Sequence, residues 1–109
     1  DNVIAVAGHP GHRDVWATGG QFYVSASEKV VLDACTATMG EGCYIMVSGR
    51  NMAVAAGTDK TGITHAAFAD SPRKARNALS DLCKSRRKSC AVIDVFHAPA
   101  RSEFIEVIS

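Results

Sequence analysis

Four cysteines and four histidines hold most of the reactive side chains of this 109-residue chain. Seven residues separate Cys35 from Cys43 and six separate Cys83 from Cys90. Structural zinc sites use tighter pairs, with two to four residues between cysteines, so neither spacing suits a zinc knuckle. Disulfide chemistry fits better, because a local bridge needs only two Cα atoms within reach of one another. Four cysteines allow three pairings. Four reduced thiols in a cytosolic core is the alternative.

His9 and His12 stand three apart with Asp14 close behind, a set that could offer Zn²⁺ or Cu²⁺ two imidazoles and a carboxylate. A fourth ligand is missing and the segment reads as a polar turn, so no metal and no cofactor is expected. His65 and His97 could join only if the fold brought them there. General acid–base cleavage of a phosphodiester needs imidazole, guanidinium and carboxylate groups within hydrogen-bond reach. His12, His65 or His97 with Arg50 would be the players. No serine lies in a G-x-S-x-G elbow, and neither a P-loop nor a dinucleotide fingerprint is present. No catalytic residue is assigned.

Charge is the stronger lead. Between Asp70 and Cys90, seven cations (Arg73, Lys74, Arg76, Lys84, Arg86, Arg87, Lys88) stand against Asp70 and Asp81. The segment carries +5 and leaves −4 for the rest of a chain whose net charge is +1. Such a dipolar molecule can be steered towards an acidic surface by one face. Lys84, Arg86, Arg87 and Lys88 crowd what reads as a helix end, where cations also complement the helix dipole. No aromatic side chain is interleaved with them, which disfavours single-stranded nucleic acid. They are the expected partner-binding patch, and the partner expected is a protein with an acidic surface rather than a specific nucleic-acid sequence. Trp16, Phe22 and Tyr23 lie near the first helix, and an exposed member could anchor an interface.

The elements that must position these groups come in two copies. Ala5-Val6-Ala7 returns as Ala53-Val54-Ala55, Asp33 as Asp81 and Cys35 as Cys83, all displaced by 48, while Cys43 returns as Cys90, displaced by 47. Repeat one spans about 3–49 and repeat two about 50–98, dividing near Ser48 to Asn51. Each copy opens on an apolar strand, Val3 to Ala7 or Met52 to Ala56. Turns rich in Gly, Pro and Asp follow, at 9–12 and 57–60, and lead to strands Val15 to Gly19 and Ile63 to Ala69.

A helix comes next in each copy. Ser25 and Glu28 have the spacing of a capping box, and Ser71-Pro72 places a capping hydroxyl before a proline at the first helical position. The apolar faces recur in step: Ser27, Val30, Val31 and Ala34, then Ala75, Ala78, Leu79 and Leu82. Strands Cys43 to Val47 and Cys90 to Phe96 complete the copies, and one more strand, at 103–108, closes or edges the sheet. The duplication selects Cys35 with Cys43 and Cys83 with Cys90, one clip per copy. Bridges in so small a domain point to an oxidising compartment, secreted or periplasmic.

A composition of 47% hydrophobic and 21% charged residues argues for a folded core rather than disorder. The expected class is α+β: one domain over 1–109, built of two pseudo-symmetric ββαβ repeats, with two helices on a mainly antiparallel sheet and two local disulfides. No apolar stretch approaches the about 20 residues of a membrane helix, and the chain opens without a targeting segment, so export would imply processing.

The chain resembles the bacterial family known as domain of unknown function 4189. The resemblance is carried by the strand Ile4 to Ala7, the Ser-Ala-x-Glu helix start at Ser25 that runs on to Cys35, the strand Cys43 to Val47, and Arg50-Asn51 ahead of Met52 to Ala56. Members often carry a cysteine where this chain has Met52, so a third bridge is not expected. The resemblance implies export, a small mixed domain and no established catalytic residues. The role expected is non-catalytic: an exported module that binds another protein, as an inhibitor, immunity partner or host-directed effector. A small secreted toxin or nuclease-like enzyme using His and Arg, or a His-based metal binder, are the alternatives.

Overall fold

The computed structural model describes residues 3–10, 12–97 and 104–108. Strands β1 (Val3–Gly8) and β2 (Val15–Gly19) form a hairpin, followed by helix α1 (Val24–Met39) and β3 (Tyr44–Arg50). The same order repeats in β4 (Ala53–Asp59), β5 (Thr64–Ala69), α2 (Pro72–Ser85) and β6 (Cys90–His97), and β7 (Phe104–Ile108) ends the described chain.

The α+β class and both repeats are as expected, with the antiparallel pairing divided between two sheets. One runs β3-β1-β2-β7 and the other β5-β4-β6. Each copy thus places its first strand between its third and its second. Every residue of β1 and β2 is buried. A strand covered on both faces reads as a continuous apolar run, and three clusters supply the covering. Ala5, Ala7 and Trp16 pack with Val31 and Cys35 of α1. Ala53, Ala55 and Ala67 pack with Ala75, Leu79 and Cys83 of α2. Ile4, Val6, Val15, Ala17 and Val47 meet Val54 between the sheets. The layers run helix, sheet, sheet, helix. The closing strand β7 returns to pair with β2 of the first copy, fastening the second copy to the first.

Both helices bury a seam at i, i+4, i+8: Ser27, Val31 and Cys35 in α1, Ala75, Leu79 and Cys83 in α2. Each seam ends in a cysteine, and the two bridges join Cys35 to Cys43 and Cys83 to Cys90 with Cα atoms 6.2 Å apart. The helix end is thereby clipped to the start of the next strand in each copy. Small residues line both seams, so helix and sheet approach closely.

Two local expectations change. The capping box does not form: α1 begins at Val24 behind Tyr23 with no side-chain cap, and Glu28 accepts instead from the Ser48 hydroxyl of β3 at 2.8 Å. A tertiary partner has outcompeted the local one. Ser71 does cap α2, accepting from the Lys74 amide at 3.3 Å with Pro72 behind it. The second hairpin turns three residues later than expected, because β4 continues through Gly57 to Asp59. A Cβ at Gly57 would stand 2.8 Å from the Ala91 carbonyl oxygen and 2.9 Å from Leu79. Here glycine permits close approach inside a strand rather than marking a turn.

Ladder register aligns the copies more finely than sequence. Pairing slips between Val6 and Ala7 against β3, leaving Met46 unpaired, and between Ala56 and Gly57 against β6, leaving Ile93 unpaired. These bulges make Ala7 equivalent to Gly57, two residues beyond the Ala55 that the sequence repeat of 48 pairs with it. Their cross-strand partners, Trp16 and His65, are equivalent too.

Candidate functional site

Trp16 is apolar and packs beneath α1. The equivalent His65 sits beneath α2 in a polar chain of three residues. Its Nε2–H donates to Asp59 Oδ2 at 2.7 Å, and its Nδ1 accepts from Arg86 Nη1 at 2.8 Å. The side chains of His65 and Asp59 are 8% and 1% exposed. Burial demands that such groups be satisfied, and the turn between β4 and β5 does this. Asp59 Oδ1 accepts from the Thr61 hydroxyl at 2.5 Å, the Thr61 amide at 2.8 Å and the Ile63 amide at 3.2 Å. Gly62 supplies the left-handed residue, φ +85°, that lets the turn fold back over the carboxylate.

These donors hold the Asp59 carboxyl far below the usual carboxylate range. The Thr61 hydroxyl contributes most, then His65, then the two amides, against the opposing effect of burial. With Asp59 ionised, His65 keeps its proton on Nε2 and turns a lone pair towards Arg86. Both ring nitrogens are engaged, which leaves neither to exchange a proton with a substrate in this arrangement. The chain's output is the orientation of Arg86.

Arg86 caps the carboxyl end of α2 and borders a groove of about 590 Å³, whose flanks are α2 and Met46 and Val47 of β3, and whose floor is the Ala66–Phe68 edge of β5. The Phe68 ring is 57% exposed there. Beyond Arg86 the chain leaves the helix by a Schellman turn: the Lys88 amide donates to the Cys83 carbonyl at 2.7 Å, and the Arg87 amide to that of Lys84 at 2.9 Å. Arg87 adopts φ +58°. Lys84, Arg87 and Lys88 are exposed, and among the described residues none pairs with a carboxylate. Lys84 and Lys88, with Ser80 and Ser89, line a pit of about 310 Å³ beside the second bridge. Of the four expected patch residues, three face solvent together, while Arg86 also reaches inward to His65.

The histidines of the first copy do not join this chain. His9 lies in the β1–β2 loop with Nε2 at 2.7 Å from the Glu41 carbonyl oxygen, and its ring meets that of His12 edge-on at 5.1 Å. A Cβ at Gly42 would come within 2.9 Å of His9 Nε2, and Gly42 has φ +103°. The positive φ favours glycine beneath that imidazole. Among the described residues no group of three or more His, Cys, Asp or Glu side chains could hold a metal. The His97 side chain, the remaining candidate, lies outside the described residues.

Arg50 has a positional task. Its Nη2 donates to the Phe22 carbonyl at 3.1 Å, tying the end of β3 to the entry of α1, and Asn51 takes φ +50° at the link between the copies. Asparagine tolerates that conformation better than most residues. Trp16 is core, whereas Phe22 and Tyr23 are 86% and 67% exposed at the start of α1. Sequence reasoning placed His65 in a strand and Asp59 in a turn without joining them. The available signal was a histidine six residues after an aspartate in a strand otherwise dominated by alanine.

Among the described residues no helix is long and apolar enough to cross a membrane. No curated protein and no solved structure matches the chain. A family profile does match, over residues 3–96, and by that match the chain belongs to the family described as Domain of unknown function (DUF4189).

Proposed function

We propose that this chain is an exported, disulfide-clipped module that binds an acidic protein surface through the exit of α2, with Lys84, Arg87 and Lys88 as the contact. The observation that carries this reading is the residue at the left-handed exit. Arg87, one residue past the cap of α2, holds φ +58°, a left-handed conformation that favours glycine. A side chain at such a φ costs roughly 1 kcal/mol relative to glycine. The second copy keeps a cation where the backbone prefers glycine. Helix-dipole complementation accounts for Lys84 in the last turn, but it does not call for a strained Arg87 beyond it.

The clip and the Schellman turn fix the backbone that carries these cations, so no loop has to be ordered on binding. Export is supported by two bridges in a domain of this size. The acid–base alternative finds less support, because the buried histidine spends both ring nitrogens inside the fold.

The test is capture from periplasmic and extracellular fractions by the wild-type chain and by the triple variant Lys84→Glu, Arg87→Glu, Lys88→Glu. A partner retained by the wild type, released by salt and lost from the variant is the expected result. Identical capture by both proteins would overturn the reading. Arg87→Gly separates strain from contact: it should raise stability by about 1 kcal/mol in urea unfolding while weakening capture.

A further inference from the structure

The β5 edge, its groove and Arg86 form one continuous feature. In the sheet order β5-β4-β6, β5 is hydrogen-bonded on one side only among the described residues. Alternate residues of such an edge present N–H and C=O groups that an added strand can pair with. Here the edge is the floor of an apolar groove with α2 on one flank and Met46 and Val47 on the other. Its volume of about 590 Å³ lies within the range of ligand sites. Arg86 stands at one end, its guanidinium aimed by His65 and its charge unpaired with any carboxylate among the described residues.

We propose that this groove receives the carboxyl-terminal end of an extended peptide, which adds a strand to β5, seats an apolar side chain against Phe68 and Leu82, and places its terminal carboxylate on Arg86. The inference rests on the protein-binding reading and names the segment of partner that the fold would take.

Direction follows from topology. Helix α2 leaves the end of β5 and runs back along it, so Arg86 lies beside His65 at the start of β5. A peptide with its carboxylate there runs antiparallel to β5, as every strand pair of both sheets does. Charge adds a preference. Asp81 borders the groove five residues before Arg86, about 7.5 Å back along the helix. Two residues of extended chain span about 6.6 Å, so a basic residue two places before the terminus lies opposite Asp81. Strand addition supplies affinity through the main chain, while the carboxylate and the apolar pocket supply selectivity.

The experiment uses the full oxidised chain, isotope-labelled, against a pool of hexapeptides randomised over the last four positions, prepared as free acids and as carboxyl-terminal amides. Free acids are expected to shift the Ala66–Phe68 amides, with enrichment of an apolar residue three places before the last, which an extended chain sets level with Phe68. The amidated form of a selected peptide should bind at least about tenfold more weakly, a difference of about 1.4 kcal/mol. Arg86→Gln should lower free-acid affinity to that of the amide and leave the amide's affinity unchanged. Phe68→Ser, at an exposed side chain, should weaken both.

Equal affinity for acid and amide, or shifts confined to Lys84, Arg87 and Lys88, would overturn the proposal. So would absence of any selected peptide at millimolar concentration, or octanoate binding where no peptide does, which reassigns the groove to a small apolar carboxylate. Partner capture that depends on the basic exit, with no peptide in the groove, would leave the protein-binding reading standing and remove this inference alone.

Discussion

The two copies bury the same three helix positions and carry the same clip, yet they fill the space between helix and sheet by different means. In the first, Trp16 occupies the site with a large apolar ring, 3% exposed, against Val31 and Cys35. In the second, the equivalent His65 is joined to Asp59 and Arg86. Apolar filling stabilises by removing surface from water and directs nothing outward. A satisfied polar chain contributes less to stability and fixes a guanidinium at the surface. The copies also leave their helices differently, by glycine in the first and by arginine in the second. One half serves mainly as scaffold, and the other carries both candidate contacts.

The sharpest way to break this contrast is to exchange the fillings. Trp16→His places an imidazole among Ala5, Ala7, Val31 and Cys35, and removes a large buried side chain. A loss of about 4 kcal/mol in urea unfolding is expected. A loss below 1 kcal/mol would mean that the first copy can also house a polar chain. The clips, by contrast, should be interchangeable. Replacing both cysteines by serine in either copy should cost about 2.5 kcal/mol, since the closed loops differ by one residue. A pronounced asymmetry between the two double variants would contradict the symmetric scaffold.

A pH-confined effect comes next. The folded carboxyl of Asp59 is held below its unfolded value, so its contribution to stability is present above the ordinary carboxylate pKa of about 3.9. It is lost as pH falls through that value towards the folded one. The wild type should lose thermal stability below about pH 4 more steeply than Asp59→Asn, and parallel curves for the two proteins would place the acid sensitivity elsewhere. The smallest change is a gain. Ser27 buries a hydroxyl with no hydrogen-bond partner among the described residues, where the second copy has Ala75. Ser27→Ala should therefore stabilise by about 1 kcal/mol, and a loss would reveal a partner for that hydroxyl.

These contrasts also explain what was legible in the sequence. The duplication, both bridges and part of each helix seam (Ser27 and Val31, Ala75 and Leu79) could be read from the sequence, because helical periodicity and loop closure are local, whereas Val30, Ala34, Ala78 and Leu82 are only half-buried and Cys35 and Cys83 complete the seams. Ser71-Pro72 was legible for the same reason. Ser25 and Glu28 misled, because a carboxylate that can reach Ser48 across the fold is released from its local task. The division into two sheets was hidden, since a buried strand looks alike whether its second face meets a helix or another sheet. The Asp59–His65–Arg86 chain was hidden as well. It joins a hairpin turn, a strand and a helix end 21 residues beyond His65, and only tertiary packing makes those neighbours.

The most direct test is a long-range proton–nitrogen spectrum of the imidazole rings at neutral pH. For His65 a single tautomer is expected, protonated at Nε2 and bare at Nδ1, with the Nδ1 signal changed by Arg86→Gln. A proton on Nδ1, or rapid averaging of the two tautomers, would show that His65 does not hold Arg86, and the distinction drawn between the two copies would fail.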